Sequence, residues 1–194
     1  AASHHMADEG PFERPVLPTL PPLPEATTAL QPKEADSDAQ VLGQTVHKAL
    51  EWLTMLPQAQ QTAERITRAT TQAAQQQELP TSLQPQAIDI VSRLLTSPAL
   101  KPWLSPDEVL WAANEVTIHH AGQTLRLDRL VQRQSEQGKQ WWVLDYKLNH
   151  HPDELASYRS QMAQYVRALE ALQTDEAEVK AAFITGAGEW ISVS

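Results

Sequence analysis

An α/β sandwich with a mixed central sheet is the fold class this sequence predicts. Three observations carry it. Helix-like segments fill the first half of the chain. A hairpin-rich run of strands follows, from about residue 108 to 147. A further helix and two short strands close the chain. Helices and strands in that order pack as layers around one sheet.

Proline marks the beginning. Ala1–Met6, AASHHM, has the composition of a vector-derived leader and is set aside. Between residues 11 and 36 stand Pro11, Pro15, Pro18, Pro21, Pro22, Pro24 and Pro32. Proline breaks helices and cannot donate to a strand ladder, so this stretch reads as an extended linker. It reads equally as a joint to something upstream in a larger protein and as a disordered tail. Residues 1–37 are therefore separated from a folded domain spanning residues 38–194.

A first helix is expected from Asp38 to about Leu56, stopping before Pro57, with Val46, Leu50 and Leu53 as its apolar stripe. Gly43, His47 and Glu51 follow one another one turn apart. A histidine so placed is ordinarily a structural or solvent-edge residue. Residues 58–78, rich in Gln, Thr and Ala, predict a second helix with a weak apolar face and no chemistry of its own. A third is expected at 84–96, with Ile88, Val91, Leu94 and Leu95 inward and Pro98 ending it. These helices cover one side of the sheet or meet a partner.

Strand pattern starts near Glu108. Alternation puts Glu115, Thr117 and His119 on one face, and it points His119 and His120 to opposite faces. Those two histidines cannot easily share one ion and read as surface residues. The next stretch, Leu125–Lys147, reads as two strands joined by a polar turn at Gln134–Gln140. Asp128 lies among apolar neighbours on the first. The second ends in Asp145-Tyr146-Lys147, where alternation places Asp145 and Lys147 on the same face. Two carboxylates and an ammonium at the end of an apolar sheet are costly to desolvate. They make sense together if a divalent metal sits between the carboxylates and the lysine faces a water or a phosphate. Arg129 reads either as a phosphate contact or as half of a structural ion pair. Trp141 and Trp142 point to opposite faces, with core packing the better expectation for both.

His150 and His151 fall in a loop after Lys147. A helix from about Asp153 to Leu172 carries Tyr158, Gln161 and Tyr165 on one face, with Met162, Val166 and Leu169 as core contacts. Strands at 179–185 and 189–193 complete the set.

These pieces resemble the PD-(D/E)XK nucleases. They are more closely similar to the RecB-like nuclease domain at the C-terminus of some bacterial helicases. The matching pieces, in order, are Gly43-xxx-His47-xxx-Glu51, Glu115, Asp128-Arg129-Leu130-Val131, Asp145-Tyr146-Lys147 and Tyr158-xx-Gln161-xxx-Tyr165. The family often has a small residue just before its first aspartate. Here Leu125-Arg126-Leu127 stands there, which leaves the local backbone geometry open. The resemblance implies a restriction-endonuclease-like core with an extra N-terminal helical part. It implies one or two Mg²⁺ or Mn²⁺ ions held by Asp128, Asp145, the Tyr146 carbonyl and His47. Lys147 would position or deprotonate a water, or neutralise developing charge. Glu115 would contact a metal, hold its water or orient Lys147. Gln161, Tyr158, Tyr165 and Arg129 would lie on the substrate side. Oxygen-rich ligands favour magnesium over zinc.

Composition bounds the alternatives. There is no cysteine, which excludes disulfides, thiolate zinc, a cysteine nucleophile and the iron–sulfur cluster of some RecB-like domains. No run of about 18 apolar residues is present, so no membrane span is expected, and a cytoplasmic protein is the natural reading. The net charge of −9 argues against a strong DNA binder. Yet from Lys101 to Lys147 six acids balance six bases, so DNA affinity is expected to be weak or partner-assisted. The function the resemblance implies is a metal-dependent DNA nuclease, an exonuclease module of a helicase-nuclease in repair or recombination. No phosphate-binding Gly-xxxx-Gly-Lys-[Ser/Thr] loop is present, so any helicase motor lies outside this chain. Two other readings compete: a non-catalytic DNA- or helicase-binding module on the same fold, and a helical interaction protein resting on the Gln-rich helices.

Overall fold

The computed structural model describes residues 34–149 and 151–193, with side chains described from Asp38 onward. Of the expected leader and linker over residues 1–37, residues 1–33 lie outside the described residues, as does the expected loop residue His150, while residues 34–37 form the first turn of a helix.

Helix α1 spans Glu34–Leu53. Leu42, Val46, Ala49, Leu50 and Leu53 are buried along one stripe. Each such leucine contributes about 1.5–3 kcal/mol when fully buried. The helix ends three residues earlier than its apolar pattern suggests, because side chains satisfy its last carbonyls. Thr54 Oγ1 donates back to Leu50 O at 2.7 Å. Gln61 Nε2 donates to Leu53 O, Leu56 O and Leu104 O at 3.0–3.2 Å.

Helix α2 spans Ala63–Gln76, with the Thr62 side chain accepting from Arg65 N at its start. Its sparse apolar face is inward, since Ile66, Ala73 and Ala74 are buried. Helix α3 spans Gln84–Thr96 as the periodicity predicts. Its inward face differs at one position: Ala87 and Ile90 are buried, whereas Ile88 is half-buried. A single-turn helix α4, Lys101–Leu104, precedes the sheet.

Strands β1 (Trp111–His120), β2 (Gln123–Ser135) and β3 (Gly138–Lys147) form an antiparallel meander. Helix α5, Ala156–Leu172, then crosses to β4, Glu178–Thr185, which pairs parallel to β3. Strand β5, Trp190–Val193, returns antiparallel to β4. The sheet order is β1-β2-β3-β4-β5. One core packs α1, α2 and α3 on Val131, Leu144, Tyr146, Ala182 and Ile184. The other packs α5, through Met162, Tyr165 and Leu169, on Leu130, Val143 and Phe183. Trp142 joins the first core and Trp141 the second, as alternation requires.

The sheet forks. Pairing of β2 with β3 stops at Arg129↔Leu144, while β2 stays paired with β1 out to His120↔Gln123. Strand β3 meanwhile continues on β4 to Lys147↔Thr185. At the fork the alternation of β1 and β2 changes phase. Asn114 bonds to α1, yet Val116, two residues on, packs in the α5 core. Likewise Leu127 packs toward α5, while Arg129 points to the α1 side. Glu115 sits at the switch with φ 51°, in the left-handed region. The expectation of Glu115, Thr117 and His119 on one unbroken face is corrected there: Thr117 and His119 share a face, and Glu115 is where the face turns over.

Arg129 needs the largest correction. Its side chain is 0% exposed and does not line the cavity at the fork. It is not a phosphate contact, and no ion pair to a carboxylate forms among the described residues. Nε donates to Trp103 O at 3.0 Å, and Nη1 donates to Thr54 Oγ1 at 2.9 Å and Asn114 Oδ1 at 2.8 Å. Burial pulls the guanidinium below its usual pKa. One guanidinium thus ties α1, α4 and β1 to the base of the fork. Arg129→Ala removes three hydrogen bonds, one of them fully buried, and opens a cavity. It should cost about 2–4 kcal/mol, read as a fall in the urea midpoint. A loss below about 0.5 kcal/mol, the scale of an ordinary surface substitution, would contradict this role.

Candidate active site

The fork brings three acids into one row. Asn114↔Arg129 and Val116↔Leu127 bracket Glu115 opposite Asp128. The β2–β3 register, continued one step past Arg129↔Leu144, sets Asp128 opposite Asp145. Neither pair is laddered, so backbone groups are free for side chains. Tyr146 N donates to Asp128 Oδ2 at 2.9 Å, which fixes that carboxylate in the fork.

His47 enters from α1. Its Nε2 donates to the Tyr146 carbonyl at 2.8 Å, since a carbonyl oxygen only accepts. In a neutral ring, Nδ1 is then a lone pair, and it lies 3.6 Å from Asp128 Oδ2. The ring stands edge-on to Tyr146, with centroids 5.5 Å apart. Two electron-rich atoms at that separation are compatible with a shared proton or cation.

Asp145 is 2% exposed. Burial, and then the neighbouring Asp128 charge, push its carboxyl up to about 6, against the opposing pull of Lys147. Lys147 Nζ lies 2.9 Å from Asp145 Oδ2. Lys147 is the one cation paired with this buried carboxylate among the described residues. The ammonium also sits 4.6 Å from the centre of the Tyr158 ring. Tyr158 therefore steadies Lys147 and stands behind it, outside the cavity lining. Gln161 and Tyr165 do line the cavity, with Gln161 Nε2 donating to Tyr165 Oη at 2.7 Å. Burial pushes the Tyr165 hydroxyl up to about 12.

The cavity at the fork measures about 560 Å³. Its charged lining is arranged in pairs. Lys48 meets Glu51 at 2.7 Å, Arg126 meets Glu115, and Lys147 meets Asp145. Gln44, Gln76 and Gln77 add neutral amides. Several of these escaped the sequence reading. Gln44, His47, Lys48 and Glu51 recur at helical spacing, so a polar stripe opposite the apolar one was there to be read. Arg126 shares strand parity with Asp128. Gln76 and Gln77, inside a Gln-rich run, carry no local signal.

The donor set suits a hard divalent ion: two carboxylates opposite one another, one of them buried with a single lysine beside it, and an imidazole lone pair next to them. Among the described residues no three His, Asp or Glu side chains converge into a closed metal cage. An ion held here keeps positions open for water and phosphate, which is how magnesium is ordinarily bound.

No helix among the described residues is long and apolar enough to cross a membrane. A search among curated proteins finds no match. A family model described as the PD-(D/E)XK nuclease superfamily matches residues 23–189. The mixed five-stranded sheet with helices on both faces accords with the restriction-endonuclease-like arrangement of that family. With that match across most of its length, the chain belongs to the PD-(D/E)XK nuclease superfamily.

Proposed function

We propose that this protein hydrolyses phosphodiester bonds in DNA with a divalent ion, Mg²⁺ or Mn²⁺, held by Asp128, Asp145 and His47, with the Tyr146 carbonyl beside them. The observation that supports this reading is the meeting of Asp128, Asp145 and Lys147 at the fork. Bound there, the ion supplies an electrophile for the phosphoryl oxygens and acidifies a water. The remaining work belongs to the side chains. Asp128 is oriented by Tyr146 N, and His47 is oriented by the Tyr146 carbonyl. Lys147, set by Asp145 and Tyr158, is in position to hold the attacking water, take its proton or offset charge on the phosphate. Gln161 and Tyr165 supply polar contacts on the α5 side, and Glu115 bounds the site from β1.

The finer reading is an exonuclease module acting in DNA repair or recombination in the cytoplasm, beside helicase domains or a helicase subunit. It rests on the RecB-like order of the motifs. A second reading, a non-catalytic DNA- or helicase-binding module, draws on the lack of a closed three-ligand cage among the described residues. Cleavage of single- and double-stranded DNA with Mg²⁺ and with Mn²⁺ separates the two. Wild type should cut. Asp145→Ala should fall to background, and Lys147→Ala should lose about 10²–10⁴-fold in kcat. Equal trace activity in all three proteins would favour the non-catalytic module.

Asp145 also predicts a pH signature. Its folded pKa of about 6 lies above the ordinary 3.8. The folded state therefore holds that proton more tightly than the unfolded chain. Stability from this group is present below the ordinary value and is lost as pH rises through about 6. In EDTA, wild-type melting temperature should fall relative to Asp145→Asn between about pH 4 and pH 7. Thermal melts of both proteins across that range measure it, and parallel curves would refute the shift. Because the ion and the proton compete for the same carboxylate, Mn²⁺ affinity should weaken as pH drops through about 6, measurable by calorimetry.

A further inference from the structure

Beyond the fork, β1 and β2 continue as a free two-stranded arm. Strand β1 is the sheet edge, and β3 has already left β2. One face of the arm is accounted for: Val116, Ile118, Leu125 and Leu127 pack into the α5 core. The other face carries Thr117, His119, Thr124 and Arg126. The register pairs Thr117 with Arg126 and His119 with Thr124, and directly opposed residues share a face. His119 Nδ1 and Thr124 Oγ1 are 3.0 Å apart. All four residues are exposed, and none is an acid. In a chain of net charge −9, such a face is uncommon ground.

This face is continuous with the cavity. Arg126, whose side chain is 69% exposed, lines the cavity and pairs there with Glu115 at the root of the arm. From Glu115 to His120 the arm reaches about 17 Å at the usual strand rise of about 3.3 Å per residue. The face presents a guanidinium, an imidazole and two hydroxyls, the groups that position a phosphate backbone without reading bases.

We infer that this exposed arm face, Thr117, His119, Thr124 and Arg126, is the track for the phosphodiester backbone of the DNA strand whose scissile group enters the cavity. Phosphate exchanges for Glu115 on Arg126, and the strand continues outward over Thr124 and His119. The inference rests on the proposed DNA-hydrolase reading and adds where the rest of the substrate lies.

The test is binding of the full chain to a labelled single-stranded oligonucleotide in EDTA, across salt from about 50 to 200 mM. Thr124→Glu should weaken binding by about tenfold or more, by setting a carboxylate against phosphate. Arg126→Gln should reduce the salt slope by about 0.7, the value for one phosphate contact on a single strand. Thr124→Lys should tighten binding, a gain that misfolding cannot produce. Gln137→Glu adds the same charge at the far turn of the sheet and should change nothing. Wild-type-like binding by both Thr124 variants overturns the track, as does equal weakening by Gln137→Glu or no binding by wild type at the lowest salt. Hydrolysis of thymidine 5′-(4-nitrophenyl) phosphate by wild type with Mn²⁺ tests the catalytic reading separately, because that ester is too short to reach the arm. Hydrolysis together with inert arm variants rejects the track alone. A responsive arm without hydrolysis rejects the catalytic reading and keeps the track.

Discussion

A buried carboxylate facing another carboxylate is the constraint on which this architecture turns. Asp145 is almost wholly removed from water, with Asp128 opposite it across an unpaired row. One lysine stands beside it. Isolated buried charge is expensive, and a mutually repelling pair more so. Hydrophobic burial on both faces of the sheet holds the pair in place: Leu144 and Tyr146 on one side, Val143 and Phe183 on the other. The destabilisation is local, and a proton or a cation relieves it.

The fork exists because two strands change phase together. At Glu115 a left-handed backbone step turns β1 over, and β2 turns over at Asp128 in the same row. The register on either side is unchanged, so neither strand gains a residue over the other. Arg129 locks the base of this irregularity to Thr54, Asn114 and the Trp103 carbonyl. The absence of a glycine before Asp128 is thereby accommodated. The positive φ falls on Glu115, across the row, and the Leu125-Arg126-Leu127 approach stays regular strand.

Much of the fold was legible because it rests on periodicity. The apolar repeat of α3 gave its bounds, and the alternation of β3 put Asp145 beside Lys147. What periodicity cannot express is a phase change. Strict alternation carried past Glu115 assigns it the face of Thr117, and nothing local marks the switch. Arg129 misled for a related reason. An arginine next to an active-site aspartate suggests a phosphate, and only tertiary partners on α1, α4 and β1 reveal a buried strut. Tyr158 was placed on the right helix face, but its role depends on Lys147 leaning across its ring, a contact between elements. Among the cavity residues, Gln76 and Gln77 were invisible because their meaning comes from where α2 ends, not from what surrounds them in sequence.

Charge completes the account of how an acidic chain could meet DNA. The cavity holds four acids, Glu51, Glu115, Asp128 and Asp145, against three cations, Lys48, Arg126 and Lys147. Every one of those cations is already committed to an acid. Without an ion the lining carries one net negative charge, so a phosphate entering the cavity meets repulsion and gains a cation only by displacing an acid. On the proposed reading a divalent ion held by Asp128 and Asp145 would reverse that balance to one net positive charge. Such an ion would also compete with Lys147 for Asp145. The ion then does more than activate water. On that reading it would change the sign of the cavity, so metal binding would precede entry of the scissile phosphate, while contacts to the exposed arm outside the cavity would not require it.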